Sequence, residues 1–560
     1  METDAIVIGS GPNGLVAANL LADAGWSVLV VEAAQQPGGG VRSGRYVDPD
    51  FISDACSAFY PLAIASPAMQ AMQLERYGVR WRHADFAFAH PLPDGRALAV
   101  SRDVTETAAL LDDVAPGSGA GWMELAALWK RAAPALMDAL CTPFPPVRAG
   151  VRLARALYRS GLGRFARMAL LPVRRFAEEW VREPTGLLFA GNALHADFAP
   201  ESTMSGLYGW LLAMLAGDVG FPVPQGGAQR VTDALLARLR DRDGELLCGR
   251  RVTGILIRSG RAVGVRLADG DEIAARRAVL AAVPAPSLYG ELIPPEHVPE
   301  NVRRDLRNFQ WDFGTVKIDW ALHEPIPWTN DLVRRAGTVH IGASMDDLTR
   351  YAADLAMGLV PARPFVVLGQ LSTVDPSRSP AGTESLWGYT HIPQQIRGDA
   401  GPDGISGAWT ETEIEAFVRR IEDHIERYAP GFRECIKTRV VRGPAAMDAD
   451  HPGLHNGAFG QGTAALHQQL IFRPLPGVAR PETPIPGLYL ASSSAHPGPG
   501  VHGACGANAA RAALRADHLA TRIFGAPLRR VCERVIRGPE HPASQRPVLD
   551  SPDRPPKRLS

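Results

Sequence analysis

Apolar and polar positions along the chain lay out strand–turn–helix patterns at its two ends. Residues 4–8 (D-A-I-V-I) form an apolar run of strand length. Gly9-Ser10-Gly11-Pro12-Asn13-Gly14 interrupts it with turn residues, and 15–24 has helical composition. A second apolar run, 27–31, predicts another strand and ends at Glu32. Residues 230–240 carry an apolar face at Val231, Ala234, Leu235 and Leu239, the spacing of a helix. Strands are expected over 251–258 and 314–320. Close to the C-terminus, 486–512 runs from a strand into a glycine-rich loop and then a helix of small residues.

The N-terminal pattern has a chemical meaning. In G-x-G-x-x-G the first glycine allows a tight turn, the second lets backbone approach a pyrophosphate, and the third lets helix and strand pack closely. The following helix N-terminus offers unpaired N–H groups and partial positive charge to phosphates. Glu32 stands where a carboxylate accepts hydrogen bonds from ribose hydroxyls and repels a 2′-phosphate, which argues against NADP. The order strand, glycine turn, helix, strand, acid indicates dinucleotide binding, with structural glycines in a cofactor-free turn as the plain alternative. FAD and NAD look alike to this point.

Later segments separate them. Pro37-Gly38-Gly39-Gly40-Val41-Arg42-Ser43 resembles the G-G-R-x-x-S/T segment of the amine oxidase and phytoene desaturase superfamily of flavoproteins, with Gly40 where arginine is usual. Pro224-x-Gly226-Gly227 and the strand at 251–258 are similar to that superfamily's middle FAD segment, Val252 standing at its adenine contact. The closing segment resembles the desaturase form L-Y-L-x-G-x-x-x-H-P-G-x-G-V-x-G, with Ser492 in place of a glycine. The likeness covers residues 1 to about 525. It is nearest to the phytoene dehydrogenase-related group, which includes proteins named for a pyridine nucleotide-disulfide oxidoreductase domain. His90-Pro91-Leu92-Pro93-Asp94-Gly95 and Asp54-Ala55-Cys56-Ser57-Ala58 look typical of that group.

The resemblance implies an α/β fold: a discontinuous Rossmann-type FAD-binding domain with a mostly parallel sheet, and an inserted α+β substrate domain with a helical cap. The FAD domain is expected over 1–85, 225–290 and 480–525, the substrate and cap domain over 86–224 and 291–479, and a tail over 526–560. From about 539 the tail is rich in Pro, Arg and Ser and is expected to be disordered. FAD is expected to contact Gly9, Gly11, Pro12, Asn13, Gly14, Glu32, Ala33, Gly38, Gly39, Ser43, Val252, Ser493, Gly498, Gly500, Val501, His502 and Gly503. The backbone of Val501, His502 and Gly503 would lie at the flavin pyrimidine edge, where a helix N-terminus stabilises the negative charge of reduced flavin.

Two residues stand out as catalytic candidates. Lys317 lies in Gly314-Thr315-Val316-Lys317-Ile318-Asp319-Trp320, similar to the amine oxidase strand whose lysine holds a water against flavin N5; a strand-end lysine in solvent is the alternative. His391 falls in Trp387-Gly388-Tyr389-Thr390-His391-Ile392-Pro393, a segment the family uses near the substrate. Histidine is the natural acid/base candidate at neutral pH. His195 and His496 are weaker candidates, as lone histidines are more often structural. No metal-ligand spacing and no hydrolase elbow is present.

Composition changes the picture in a few respects. A chain of 560 residues, 46% hydrophobic, is long enough for two or three domains, and a formal net charge of zero gives no field for nucleic acid. The six cysteines, at 56, 141, 248, 435, 505 and 532, form no C-x-x-C pair, which points away from a redox disulfide and towards a reducing compartment. No signal peptide is visible, and the longest apolar stretch, 207–217, is shorter than the about 20 residues a membrane span requires. Arginine outnumbers lysine 55 to 4, the mark of a GC-rich, bacterial genome.

Residues 147–173 contain Arg148, Arg152, Arg155, Arg159, Arg164 and Arg167, no acid, and interleaved apolar residues. This fits a basic amphipathic helix lying on a membrane, or a cap helix packed on its own domain. The expected location is cytoplasmic, with a peripheral contact at the inner face of the membrane.

The resemblance implies an FAD-dependent oxidoreductase that transfers hydride between an apolar isoprenoid or polyene substrate and flavin N5. With no second Rossmann motif, electrons would leave to oxygen, a quinone or a partner protein. A flavin amine oxidase is the alternative enzyme, although Gly500 occupies the place of its aromatic-cage tyrosine. A non-catalytic protein that binds lipid or prenylated partners is the other class of reading.

Overall fold

The computed structural model describes residues 2–517. The expected tail, and residues 518–525 of the last expected FAD segment, lie outside the described residues.

Two sheets organise the chain. The first has a parallel core in the order Leu488–Leu490, Glu272–Ala281, Glu2–Ile8, Val28–Val31, Glu245–Leu247. An antiparallel hairpin, Val252–Arg258 and Arg261–Leu267, extends it from the start of Glu272–Ala281. Its apolar runs are buried on both faces, as parallel strands covered on both sides require. The helices Pro12–Asp23, Gln229–Arg240 and Ala504–Asp517 cluster on one face with Val7, Val30, Leu235 and Ala510 in a shared core.

The second sheet has seven strands in the order Ile436–Arg442, Gly314–Leu322, Glu384–Ile392, Val366–Gln370, Ala336–Ile341, Phe86–Pro91, Ala97–Ser101. All its pairs are antiparallel except Ala336–Ile341 with Phe86–Pro91. Val316, Ile318, Trp320 and Leu386 pack with Phe417, Ile421 and Ile425 of the helix Glu411–Glu426 on one face. Thr315, Lys317 and Asp319 therefore point to the other face, because successive strand residues alternate.

A helical cap rises beside this sheet. It includes Ser118–Cys141, Leu187–His195 and Ser205–Asp218. The last is apolar all round, holds the long apolar stretch of the sequence, and is accordingly buried. The expected single basic helix at 147–173 is two helices, Val147–Leu157 and Leu162–Leu170, separated by a 3₁₀ turn at Tyr158–Ser160 and by Gly161 at φ +82. That backbone angle belongs to the left-handed half of conformational space, which glycine enters without a Cβ clash, so the helix stops there.

Candidate active site

The first glycine turn is shaped for a phosphate group. Helix Pro12–Asp23 starts with Gly11 as its N-cap, and no side chain caps it and no acid lies in its first turn. Its leading N–H groups are left for a ligand. A Cβ built on Gly11 meets nothing within 4 Å, so the space in front of the helix end is open. A Cβ on Gly14 would lie 2.1 Å from the Gly9 carbonyl oxygen, a close approach that only glycine permits. Asn13 is buried, and its Oδ1 has no hydrogen-bond partner.

Glu32 closes the turn from the neighbouring strand. Its Oε2 accepts from the Ser10 N–H (2.8 Å) and hydroxyl (2.6 Å), and its Oε1 accepts from the Ala34 N–H (2.8 Å). A carboxylate has about four lone-pair sites. Glu32 thus fixes the turn and keeps acceptor capacity for a ribose hydroxyl. Ala33 is exposed beside it. The Arg250 N–H donates to the Glu32 carbonyl (2.9 Å), which brings buried Val252 to the same end of the sheet.

Gly38 and Gly39 lie against this turn. The Gly38 N–H donates to the Ser10 hydroxyl (3.1 Å), and a Cβ on Gly39 would lie 3.2 Å from Gly11 Cα. Ser43 is placed differently from its expected role as a phosphate ligand. Its hydroxyl donates to Asp54 (2.6 Å) and accepts from the Gln229 N–H (3.0 Å), so it joins the glycine segment to the helix Gln229–Arg240. Buried Arg378 completes that joint by donating to Asp54 and Asp375 (both 3.1 Å), while Asp375 accepts from the Gly226 N–H (2.7 Å). Arg378 and Asp375 were invisible in the sequence, since neither belongs to a motif, whereas Asp54 opens the Asp54–Ala58 segment already noted.

The closing loop meets the first turn across 480 residues: the Asn13 amide donates to the Ser493 hydroxyl (3.4 Å). His502 accepts from the Ala504 N–H at Nδ1 (3.1 Å), and its Nε2 lies 3.1 Å from the Gly498 carbonyl. Those two bonds set the neutral Nε2–H tautomer, and burial pushes its pKa down to about 4. Its imidazole caps the closing helix, leaving the loop backbone at Val501 and Gly503 for a ligand. Gly500 is exposed at φ +121, a conformation that disfavours any residue with a Cβ, and a Cβ there would lie 2.7 Å from Leu62 Cδ1. The open helix end and the uncapped N–H groups fit a dinucleotide diphosphate.

Behind this loop lies another residue the sequence did not single out. Arg473 is fully buried and has no carboxylate partner among the described residues; it donates to the carbonyls of Ser493 (2.6 Å), Thr463 (2.8 Å), Gly460 (2.8 Å) and Gly462 (3.2 Å). Burial lowers its pKa. The N–H groups of Gly460 and Gly462 in turn donate to Asp312 (2.6 and 2.9 Å). Gly460-Gln461-Gly462 is therefore a bridge of peptide dipoles between a buried cation and a buried acid.

The open face of the second sheet carries the candidate acid/base residues. Lys317 is opposite Tyr389, and Thr315 is opposite His391, so all four share that face. Lys317 is wholly buried, which excludes the solvent alternative. Its ammonium bonds Asp319, which also accepts from Arg442 (3.1 Å). Burial lowers the Lys317 pKa, with Asp319 pulling it back. Cys56 adjoins the lysine and links it to the glycine segment: a Cβ on Gly40 would sit 3.5 Å from Cys56 Cβ, and Trp387 donates to the Cys56 carbonyl (2.9 Å).

His391 faces Asp197, with Nε2 3.2 Å from Oδ1. Burial raises Asp197 to about 7 and lowers His391 to about 4. Near neutral pH the imidazole is uncharged, and the carboxylic acid donates to it where the pair is protonated. Both atoms otherwise lack a hydrogen bond. Asp312, raised to about 6 first by burial and then by the charge of Asp197, adjoins them. His195 lies 2.9 Å from the Tyr389 hydroxyl, and His496 lies 3.0 Å from the Thr142 carbonyl. Phe59, Trp387, Phe459 and Phe313 supply aromatic walls around these groups.

Known proteins match this arrangement along most of its length. Pyridine nucleotide-disulfide oxidoreductase domain-containing protein 2 of Rattus norvegicus is 26% identical, over 92% of this chain and 94% of its own. Phytoene desaturase (lycopene-forming) of Pseudescherichia vulneris is 25% identical, over 92% and 99%. An oxidoreductase structure from Methanosarcina mazei aligns with a TM-score of 0.59 at 16% identity, covering 92% of this chain and 100% of its own, a likeness of fold. The family model for flavin containing amine oxidoreductase matches residues 13–514, from the first glycine turn to the closing helix, so the chain belongs to that family and is an FAD-dependent oxidoreductase.

Proposed function

We propose that the enzyme moves a hydride between a carbon of an apolar, isoprenoid- or polyene-like substrate and FAD, with the buried acid/base residues handling the accompanying proton. The observation that carries this reading is the shared sheet face, which sets Lys317, Tyr389 and His391 among aromatic walls beside the glycine segment. The desaturase activity in the name of a full-length relative supports it. FAD, when bound, supplies a two-electron acceptor at N5.

The chain's own residues do the rest. Gly9, Gly11, Pro12, Asn13 and Gly14 would hold the diphosphate, Glu32 the ribose and Val252 the adenine. Gly38, Gly39, Ser493, Gly498, Gly500, Val501, His502 and Gly503 would complete the cradle, with Ala33 at its rim and Ser43 acting through Asp54. His391 and Asp197 exchange one proton at the substrate side, and the aromatic walls exclude water. Lys317 stands on the cofactor side of the same face and would orient a polar atom there. The division into 1–85, 225–290 and 480–525 against 86–224 and 291–479 is supported by the strands of each sheet. The reading includes a contact of residues 147–173 with the inner face of a membrane, from which lipid-dissolved substrate would enter. Oxygen, a quinone or a partner protein would accept the electrons.

Gly500 weighs against an amine oxidase, because its φ of +121 is a backbone conformation that an aromatic-cage residue adopts only with strain. Anaerobic mixing of the flavin-loaded enzyme with a panel of polyenes and amines tests the choice through bleaching of the flavin absorbance. Bleaching by polyenes alone is expected. Bleaching by primary amines, with peroxide released on admitting air, would replace this reading with the amine oxidase one.

A further inference from the structure

The surface feature left unexplained by the active site is the pair of basic helices on the cap. Val147–Leu157 buries only Ala149 and Leu157 of its eleven residues, and Leu162–Leu170 buries only Met168 of nine. Of the eight large apolar side chains exposed among the described residues, five lie here: Val147, Val151, Tyr158, Leu162 and Leu170. Val147 is 68% exposed and Tyr158 77%. Scattered apolar residues are ordinary, whereas a concentration of this kind marks a contact surface. Arg148, Arg152 and Arg155 run beside Val147 and Val151 on the same helix.

A pocket of about 590 Å³ elsewhere on the surface mixes acids with its arginines, since Asp403 and Asp423 line it. The pocket beside the first basic helix differs. It measures about 350 Å³ and is lined by Arg148, Arg152, Arg480 and Arg515, with Thr142 and Val147 among its other residues and no acid on its wall. Arg152 is paired with Asp138 and Arg480 with Glu482. Arg148 and Arg515 have no carboxylate partner among the described residues. Two neighbouring guanidinium groups without carboxylate partners, Arg148 and Arg515, match the oxygens of a phosphate.

We propose that helices Val147–Leu157 and Leu162–Leu170 form a membrane-docking face, and that the pocket behind the first of them holds the phosphate of an anionic lipid headgroup. The exposed apolar stripe enters the acyl boundary, while the arginines reach the headgroup layer beside it. The wall of the pocket is hydrogen-bonded to the closing segment. His496, in the closing loop, bonds the Thr142 carbonyl, and Asn508, on the closing helix, donates to the Cys141 carbonyl (3.0 Å). This inference deepens the membrane contact of the proposed function, and its test needs no substrate.

The test is flotation of the full flavin-loaded chain with phosphatidylcholine vesicles, with and without phosphatidylglycerol. Binding should require phosphatidylglycerol and weaken roughly thirty-fold in the double variant Arg148→Gln/Arg515→Gln, the size expected from two arginines at a charged bilayer. Val147→Ser/Val151→Ser should weaken it too, with flavin content unchanged in both variants. Equal binding to both vesicle types would overturn the headgroup pocket and leave an apolar contact. Wild-type binding by the arginine double variant would likewise overturn the pocket. Absence of binding to either vesicle would overturn the docking face as well, while the flavin-bleaching assay would still stand. Inorganic phosphate that protects the pocket, in a protein that ignores vesicles, would reassign it to a soluble phosphate.

Discussion

At the scale of single residues, the chemistry depends on charges held out of water. Lys317 and Asp319 are both fully buried, and among the described residues Arg442 is the only other cation bonded to that carboxylate. Removing one member of a buried pair leaves the other uncompensated, at a cost of about 3–5 kcal/mol. Lys317→Met should fall at the low end of that range, since Arg442 remains, and urea unfolding followed by tryptophan fluorescence would measure it. Asp197 leads to a pH prediction. Its native pKa of about 7 lies above its ordinary 3.8, so between those values the native state binds more protons than the unfolded one. Stability is therefore lost as pH rises through that window, and Asp312, at about 6, acts in the same direction. His391, depressed to about 4, acts oppositely and loses stability as pH falls from 6.5. Relative to wild type, Asp197→Asn should gain in thermal midpoint from pH 4 to pH 7 and then level off; parallel curves would show that Asp197 ionises normally. Neither Asp197, Asp312 nor Arg473 was legible in the sequence. Each is a lone polar residue, and its role arises from contacts with segments ten or more residues away, as in the Arg473 bonds to Thr463 and Ser493.

At the scale of elements, legibility follows locality. The glycine turn, its helix and Glu32 could be read because strand, turn and helix occupy consecutive residues, and the structure forms them as Glu2–Ile8, Pro12–Asp23 and Val28–Val31. The basic stretch at 147–173 was read as one helix because its apolar periodicity continues through Gly161; the break needed the backbone angle at that residue. The glycines of the turn can be separated by what surrounds them. Gly14 is filled by its neighbours, whereas Gly11 faces open space. Gly14→Ala should therefore destabilise the apoprotein, since the new Cβ collides with the Gly9 carbonyl. Gly11→Ala should fold with wild-type stability and still lose FAD affinity by at least roughly ten-fold, through crowding of the diphosphate. Flavin retained on gel filtration, set beside the apoprotein's unfolding midpoint, distinguishes the two. Equal effects of both substitutions on the apoprotein would mean that the space in front of Gly11 is not reserved for a ligand.

At the scale of the whole molecule, the two sheets differ in what they can bind. The first is parallel at its core and presents strand ends, a glycine turn and a helix N-terminus at one edge, the arrangement that takes a dinucleotide. The second is antiparallel but for one pair, Phe86–Pro91 with Ala336–Ile341, and the helix that follows Ala336–Ile341, Met345–Met357, is capped by the Ser344 hydroxyl and carries Asp346 and Asp347 in its first turn, which disfavours a phosphate there. Gly460-Gln461-Gly462, another glycine pair in a suggestive spacing, is held between Arg473 and Asp312, so its N–H groups are already bonded. Among the described residues only the first sheet presents a dinucleotide-shaped edge, and by the proposed reading that edge holds FAD. NADH and NADPH should then leave the flavin oxidised under anaerobic conditions, even at millimolar concentration, in the enzyme whose flavin dithionite bleaches at once. Reoxidation of the dithionite-reduced enzyme by air and by a soluble quinone would identify the electron exit. Rapid bleaching by NADPH would show instead that a nicotinamide reaches the flavin through the substrate face, with the aromatic wall around Tyr389 and Trp387 acting as a stacking site for its ring.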